Sequence, residues 1–227
     1  MIGSLGQPLL FLVALGFGFG PIYQKAGQGN YLQFLTPGII AMAVLFTSIF
    51  MGIEIIWDRQ FGFLKETLVA PVSRYYIMLG RTLGGATIAV FQGVIIFLIS
   101  LLIGFRVTNI AYCFLMFVYM LLTAILFTAL GTAIASKLDD MHGFQLIMNF
   151  LIMPLFFLSG ALFPIAELPP VLKIINSLDP LSYGVDGMRG ALGGVSHYGL
   201  FTDFAILSVM TLFLLSIGSY LFSKIEI

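Results

Sequence analysis

The sequence predicts an all-α membrane protein with six transmembrane helices, and three observations carry that prediction. Of 227 residues, ten are Lys or Arg and ten are Asp or Glu, so 9% are charged while 60% are hydrophobic. Soluble domains carry roughly 25% charged and 45–50% apolar residues, and mean hydropathy here is +1.09. The charges also leave six long runs free of Asp, Glu, Lys and Arg: 1–24, 26–53, 82–105, 107–136, 141–166 and 204–223. Each can supply the roughly 20 apolar residues that cross a hydrocarbon layer about 30 Å thick. Finally, runs such as Val94–Ile103 do not alternate as barrel strands do. Backbone in hydrocarbon must then close its own hydrogen bonds as helix.

The same composition excludes a soluble enzyme, a nucleic-acid binder and a disordered tail. Cys113, the one cysteine, excludes a disulfide framework and a multi-cysteine metal site. Zero net charge gives no electrostatic reason for a polyanionic partner.

The predicted spans are about 5–24, 33–56, 83–105, 110–136, 143–164 and 202–223, in one domain over 1–227. The first run lacks a basic leading segment and ends in Gly16-Phe-Gly-Phe-Gly20-Pro21. That is no small-x-small cleavage site, so it reads as a retained span. Arg59, Lys65, Arg74, Arg81, Lys137 and Lys224 fall on one side of this arrangement, and Lys25, Arg106, Lys173 and Arg189 on the other. The excess, with four of the six in one short loop, predicts cytoplasmic termini.

Segment 54–81 holds seven of the twenty charges. Within it Phe61, Leu64 and Leu68 recur at the spacing of one helix face, and Pro71 ends the helix. Ser73 is placed to cap the helix that follows, and Tyr75 and Tyr76 suit the membrane interface. This short amphipathic helix is either an interfacial anchor or a docking surface for a cytosolic partner.

Between spans five and six, Val171, Leu172, Ile174, Ile175 and Leu178 mark one apolar face, with Lys173, Asn176 and Ser177 opposite. Asp179-Pro180 then starts a second helix, Asp as N-cap and Pro at the first position. Leu181, Val185, Met188 and Leu192 form its apolar stripe, and Asp186 and Arg189 have the i, i+3 spacing of an ion pair. Both helices are too short to span, so they lie at the interface or re-enter the membrane. They either cap a pathway or merely shield span ends. Pro154, Gly160 and Pro164 predict a kinked or broken fifth span.

Catalytic and metal-binding patterns are not found. No phosphate-binding Gly-x-x-x-x-Gly-Lys-[Ser/Thr] loop occurs, and His142 and His197 fall in loops without ligand-spaced partners. Ser159 would need a base within reach to act as a nucleophile, and no histidine lies in a span. Glu54 is the one ionisable candidate at membrane depth. Gln92 and Asn149 are expected to tie helices together, and Gly16/Gly20 and Gly80/Gly84 have the spacing for close helix approach.

Three stretches resemble the membrane permease family of ABC type-2 exporters. They are Tyr31-Leu-Gln-Phe-Leu-Thr-Pro37-Gly38-Ile39, then Asp58-Arg59-Gln-Phe-Gly62-Phe-Leu-Lys-Glu-Thr-Leu68-Val-Ala-Pro71-Val72-Ser73-Arg74, then Phe157-Leu-Ser159-Gly160-Ala-Leu-Phe163-Pro164. The last is followed by Asp179-Pro180-Leu-Ser-Tyr183-Gly-Val-Asp186-Gly-Met-Arg189, where the family more often has Asn-Pro. The resemblance implies a cell-membrane permease that dimerises with a second copy or a paralogue and docks cytosolic ATP-binding-cassette ATPases. Those partners would hold ATP and Mg, leaving this chain without cofactor or catalytic residue. It implies a coupling helix at about 59–70, with Asp58, Arg59, Phe61, Gly62, Leu64, Lys65, Glu66, Leu68, Pro71 and Arg74 as ATPase-coupling residues. It likewise implies external helices at 168–192, with Phe163, Pro164, Asp179, Pro180, Tyr183, Asp186 and Arg189 forming an outer gate. Similar members export drugs, antibiotics, or lipid-like and polysaccharide substrates. Members usually have a cytoplasmic amphipathic helix before the first span, whereas only Met1–Ser4 precede it here. The alternative, a secondary transporter or channel without an ATPase, is opposed by the scarcity of intramembrane carboxylates.

Overall fold

A computed structural model describes residues 2–26, 29–107 and 112–224. Its helices are α1 (Ile2–Lys25), α2 (Tyr31–Phe50), α3 (Ile53–Gln60), α4 (Phe63–Val69), α5 (Arg74–Ile103), α6 (Cys113–Ala135), α7 (Met141–Leu158), α8 (Pro170–Leu178), α9 (Pro180–Gly193) and α10 (Leu200–Ser223). Among the described residues there is no strand. Six helical segments are long and apolar enough to cross a membrane: Leu5–Lys25, Tyr31–Gln60, Arg74–Ile103, Cys113–Ala135, Met141–Leu158 and Leu200–Ser223. These are the six charge-free runs, since a run without charge is what hydrocarbon tolerates.

The spans alternate in direction, so the bundle has two distinct ends. At one end, here the loop end, lie α3, α4 and the α6–α7 connection, where Arg59 meets the carbonyls of Ser136 and Leu138. The last turn of α10 reaches the same end, with the Arg74 guanidinium donating to the Ser223 carbonyl at 2.6 Å. At the other end, here the cap end, α8 and α9 sit over the start of α2 and α10. There the Tyr31 hydroxyl donates to the Leu162 carbonyl (3.2 Å) and the Tyr119 hydroxyl to the Leu200 carbonyl (2.5 Å).

The α2 helix is the centre of the bundle. Leu35, Ile39, Ile40, Ala43, Val44 and Leu45 are fully buried, and α2 packs on α1, α5, α6 and α9. Small residues set these approaches. A Cβ on Gly38 would run into the backbone of Ala161, and Gly52 and Gly131 bring the α2–α3 junction against α6 with no room for one. Of the glycine pairs expected to do this work, a Cβ on Gly16 would lie 3.0 Å from the Leu32 side chain, but Gly20, Gly80 and Gly84 face open space. Spacing alone does not say which side of a helix meets a neighbour.

The second span breaks at Met51–Gly52 and continues as α3, and the fifth ends at Leu158, a turn earlier than expected. Gly160 follows with φ of 75°, a left-handed conformation that glycine adopts without steric cost. Gln92 is an interhelical tie, accepting from the Thr47 hydroxyl at 2.7 Å. Asn149 is not, because it lies exposed on α7. Replacing Gln92 with Leu is expected to cost about 0.5–1 kcal/mol in a detergent-unfolding titration, the usual worth of a hydrogen bond between membrane helices.

Candidate functional site

At the loop end, the residues expected to act together divide into two groups. Asp58 is ion-paired with Arg81, which ties α3 to the start of α5. Arg59 is ion-paired with Asp139 and also donates to the carbonyls of Leu138 and Ser136, each at 3.1 Å. Gln60 adds a bond to the Asp139 carbonyl at 3.1 Å. Asp58 and Arg59 therefore face inward, onto α5 and the α6–α7 connection. That connection is itself held by Asp140, which caps α7 by accepting the Gly143 N–H at 2.7 Å. Bonds from the Gly143 and His142 backbone hold its carboxyl below the usual range.

The second group lies beyond a break. Gly62, with φ of 83°, turns the chain between α3 and α4. Phe61 is consequently the C-cap of α3 rather than a residue of the amphipathic helix, and it is 70% exposed. Leu64 is the buried anchor of α4, with Leu68 half-buried beside the core. Phe63, Lys65, Glu66 and Val69 are exposed. Pro71 and Val72 are exposed in the turn before α5, and Ser73 takes the N-cap position without a side-chain bond. The apolar face thus exists but is one residue deep, and most of the apolar side chains of this segment look outward.

At the cap end, Asp179 and Pro180 start α9 as expected, the Asp179 carboxylate accepting the Leu181 N–H at 2.9 Å. Burial pushes that carboxyl up to about 7. The Tyr183 hydroxyl donates to the Ser177 carbonyl at 2.7 Å, and its ring lies 5.0 Å from that of Tyr198. Phe163 is exposed, and Pro164 precedes a 3-10 turn at Ile165–Glu167.

The expected Asp186–Arg189 ion pair is not formed. The Asp186 carboxylate accepts the His197 N–H on both oxygens, at 2.9 and 2.7 Å, and the Tyr198 N–H at 2.8 Å. Arg189 turns away instead. Its Nη2 donates to the Gly160 carbonyl at 3.0 Å and the Phe34 carbonyl at 3.4 Å, and its guanidinium lies 4.0 Å over the Phe34 ring. Bonds from the His197 and Tyr198 N–H groups to an ionised acceptor are charge-assisted, and they outcompete a helix-surface pair worth only a few tenths of a kcal/mol.

The α8 helix turns its polar side inward. Asn176 is buried, its amide on the Leu158 carbonyl and its oxygen accepting from the Tyr198 hydroxyl at 2.6 Å. Val171, Ile174 and Leu178 are left exposed. An apolar face turned outward suits a helix lying at a membrane interface.

Two features were not anticipated from the sequence. Gly184 and Gly187 let α9 lie against α6, where a Cβ would strike Thr123 and the Tyr119 ring. Asp203 in the first turn of α10 is fully buried beside Asp186, and among the described residues neither of its carboxylate oxygens accepts a backbone N–H. Glu54, a candidate membrane-depth carboxylate that reads more readily as an interface residue near the end of the second span, is exposed.

A bundle of six apolar spans, capped at one end by helices too short to cross, defines a polytopic membrane protein. The chain belongs to the ABC-2 type transporter family, whose sequence profile matches residues 1–192. It is 31% identical over 196 residues to the transport permease ycf38 of Cyanophora paradoxa, covering 83% of this chain and 66% of that protein. It is 32% identical over 190 residues to the inner membrane transport permease YadH of Escherichia coli K12, covering 79% and 70%. It is 28% identical over 200 residues to nodulation protein J of Rhizobium leguminosarum bv. trifolii, covering 86% and 74%. The matched region therefore spans just under two thirds of the ycf38 relative.

Proposed function

We propose that this chain is the membrane-spanning permease of an ATP-binding-cassette exporter, driven by ATP hydrolysis in a separate cytosolic ATPase. The observation that carries this reading is α4. It is a short helix anchored to the bundle by Leu64, and it presents Phe63, Lys65, Glu66 and Val69, with Phe61 beside it, to solvent. Exposed apolar side chains grouped with charges mark a protein interface. The loop end is then cytoplasmic, both termini lie there, and α8 and α9 close the outer mouth. A second permease copy would meet the exposed apolar faces of α1 and α7, where Phe17, Leu146 and Phe150 look outward. ATP and Mg are held by the ATPase.

Within this reading Asp58 and Arg59 position the coupling segment, while α4 itself makes the contact. The test is copurification of the ATPase in mild detergent. Phe63→Glu with Val69→Glu is expected to abolish it while the permease remains folded. Undiminished association, together with normal export, overturns the proposal.

A second reading, transport by an ion gradient without an ATPase, draws on one observation, the Asp203 carboxyl buried beside Asp186. Purified permease in liposomes distinguishes the two. Uptake that follows a pH gradient without ATP supports the second and counts against the first.

A further inference from the structure

Two cavities meet at the cap end. The first, about 450 Å³, has a mixed wall that includes Asn30, Gln33, Asp186, Arg189 and His197. The second, about 410 Å³, is lined by apolar side chains of α1 and of the segment after α7, among them Phe11, Leu15, Ile22 and Phe157. Tyr23 and Pro164 stand in the walls of both. The depression at the cap end therefore has a polar chamber and an apolar trough that adjoin across Tyr23 and Pro164, and exposed Phe19, Ile22 and Phe163 place the trough on the flank of the bundle.

The chamber contains a buried cation with a donor to spare. The Arg189 Nη2 is spent on the carbonyls of Gly160 and Phe34, but Nε is buried without an acceptor. A guanidinium has five N–H donors in a planar fork suited to an oxyanion. Burial lowers its pKa to about 10, which leaves it charged at neutral pH. Asp186 shares the chamber wall but makes no ion pair with it, because both its oxygens are occupied by the His197 and Tyr198 N–H groups. A desolvated charge of this kind is costly until an opposite charge meets it.

We propose that this depression binds an anionic phospholipid, its head group on Arg189 and an acyl chain in the trough between α1 and the end of α7. The shape selects an amphiphile, since a free anion would leave the apolar trough in water. A lipid without a phosphate would leave the Arg189 Nε without an acceptor. A second copy of the chain could fill the trough with side chains, but α1, α2 and α7 carry no acidic residue to bring to Arg189.

The test uses the purified permease alone, so its outcome is independent of whether an ATPase drives transport. Retention of phosphatidylglycerol and diacylglycerol with identical chains is compared by native mass spectrometry, with glycerol 3-phosphate as the head group lacking a chain. The expected result is about a tenfold preference for phosphatidylglycerol, the scale of one charge-assisted contact, with glycerol 3-phosphate not retained. R189Q should bring the ratio near one. Leu15→Trp, which fills the trough, should lower retention of both lipids and keep their ratio. Should R189Q fail to fold, the head-group comparison on the unmodified protein and Leu15→Trp still decide. Equal retention of the two lipids overturns the proposal, as does a preference that survives R189Q, or glycerol 3-phosphate binding as tightly as the lipid. Loss of self-association in Leu15→Trp with lipid retention unchanged assigns the trough to a second copy and also overturns it.

Discussion

Arg59→Ala is expected to destabilise the protein by about 3 kcal/mol, whereas Asp139→Ala costs less than about 1 kcal/mol. The two side chains form one ion pair, yet they stand in different surroundings. Arg59 is 24% exposed and Asp139 84%. An ion pair with one partner in water is weakly stabilising, because solvent screens it and two side chains must be ordered to make it. The two bonds from the Arg59 guanidinium to the Ser136 and Leu138 carbonyls are another matter. Those carbonyls follow the end of α6, where the helix has no donors of its own left to offer, and a cation there also meets the negative end of the helix dipole. Charge-assisted bonds of this kind contribute about 1.5–3 kcal/mol each. Arg59→Lys should fall between the two variants, since an ammonium is a compact point charge and cannot reproduce the planar fork that spans both carbonyls. Thermal unfolding of the purified chain in one detergent compares all three. Equal losses for Arg59→Ala and Asp139→Ala would assign the effect to the ion pair and refute the carbonyl account.

The same residue shows what the sequence makes legible. Charge-free runs locate the six spans because hydrocarbon excludes charge whatever the tertiary arrangement. Asp179-Pro180 locates the start of α9 because capping is local chemistry. What needs a distant partner is not legible in this way. Asp58 and Arg59 are adjacent charges in a basic loop, and nothing local says that one turns to Arg81 and the other to the end of α6. Phe61, Leu64 and Leu68 have helical spacing, but Gly62 breaks the helix between the first and second of them, and periodicity does not register a single left-handed residue. Asp186 and Arg189 satisfy the i, i+3 rule and still separate, because the 195–199 loop and the turn at Gly160 present stronger partners to each. Asp203 falls at the edge of the predicted last span, and nothing local marks it as buried. It is buried only because α9 packs across the start of α10.

Asp186→Ala is the second large effect. It is expected to cost about 3 kcal/mol, since unsatisfied buried donors cost about 1–3 kcal/mol each. The carboxylate is the acceptor for the His197 and Tyr198 N–H groups, and its removal leaves both without a partner. Asp186→Asn should recover part of the loss. One amide oxygen can still accept, while the NH2 group is turned on donors and must rotate away. Asp203→Asn serves as the control, because it also removes a carboxyl from this cluster but one that, among the described residues, accepts no backbone N–H. It should be neutral or mildly stabilising, as it relieves the repulsion between two buried acidic groups. Hydrogen exchange separates this account from a general loss of packing. In Asp186→Ala the amides of His197 and Tyr198 should exchange much faster while those of α2 and α6 stay protected, and in Asp203→Asn neither should change. Unchanged protection of His197 and Tyr198 in Asp186→Ala would mean that the loop is held by its packing on α9, and the carboxylate would lose its place as the tie between the return helices and the last span.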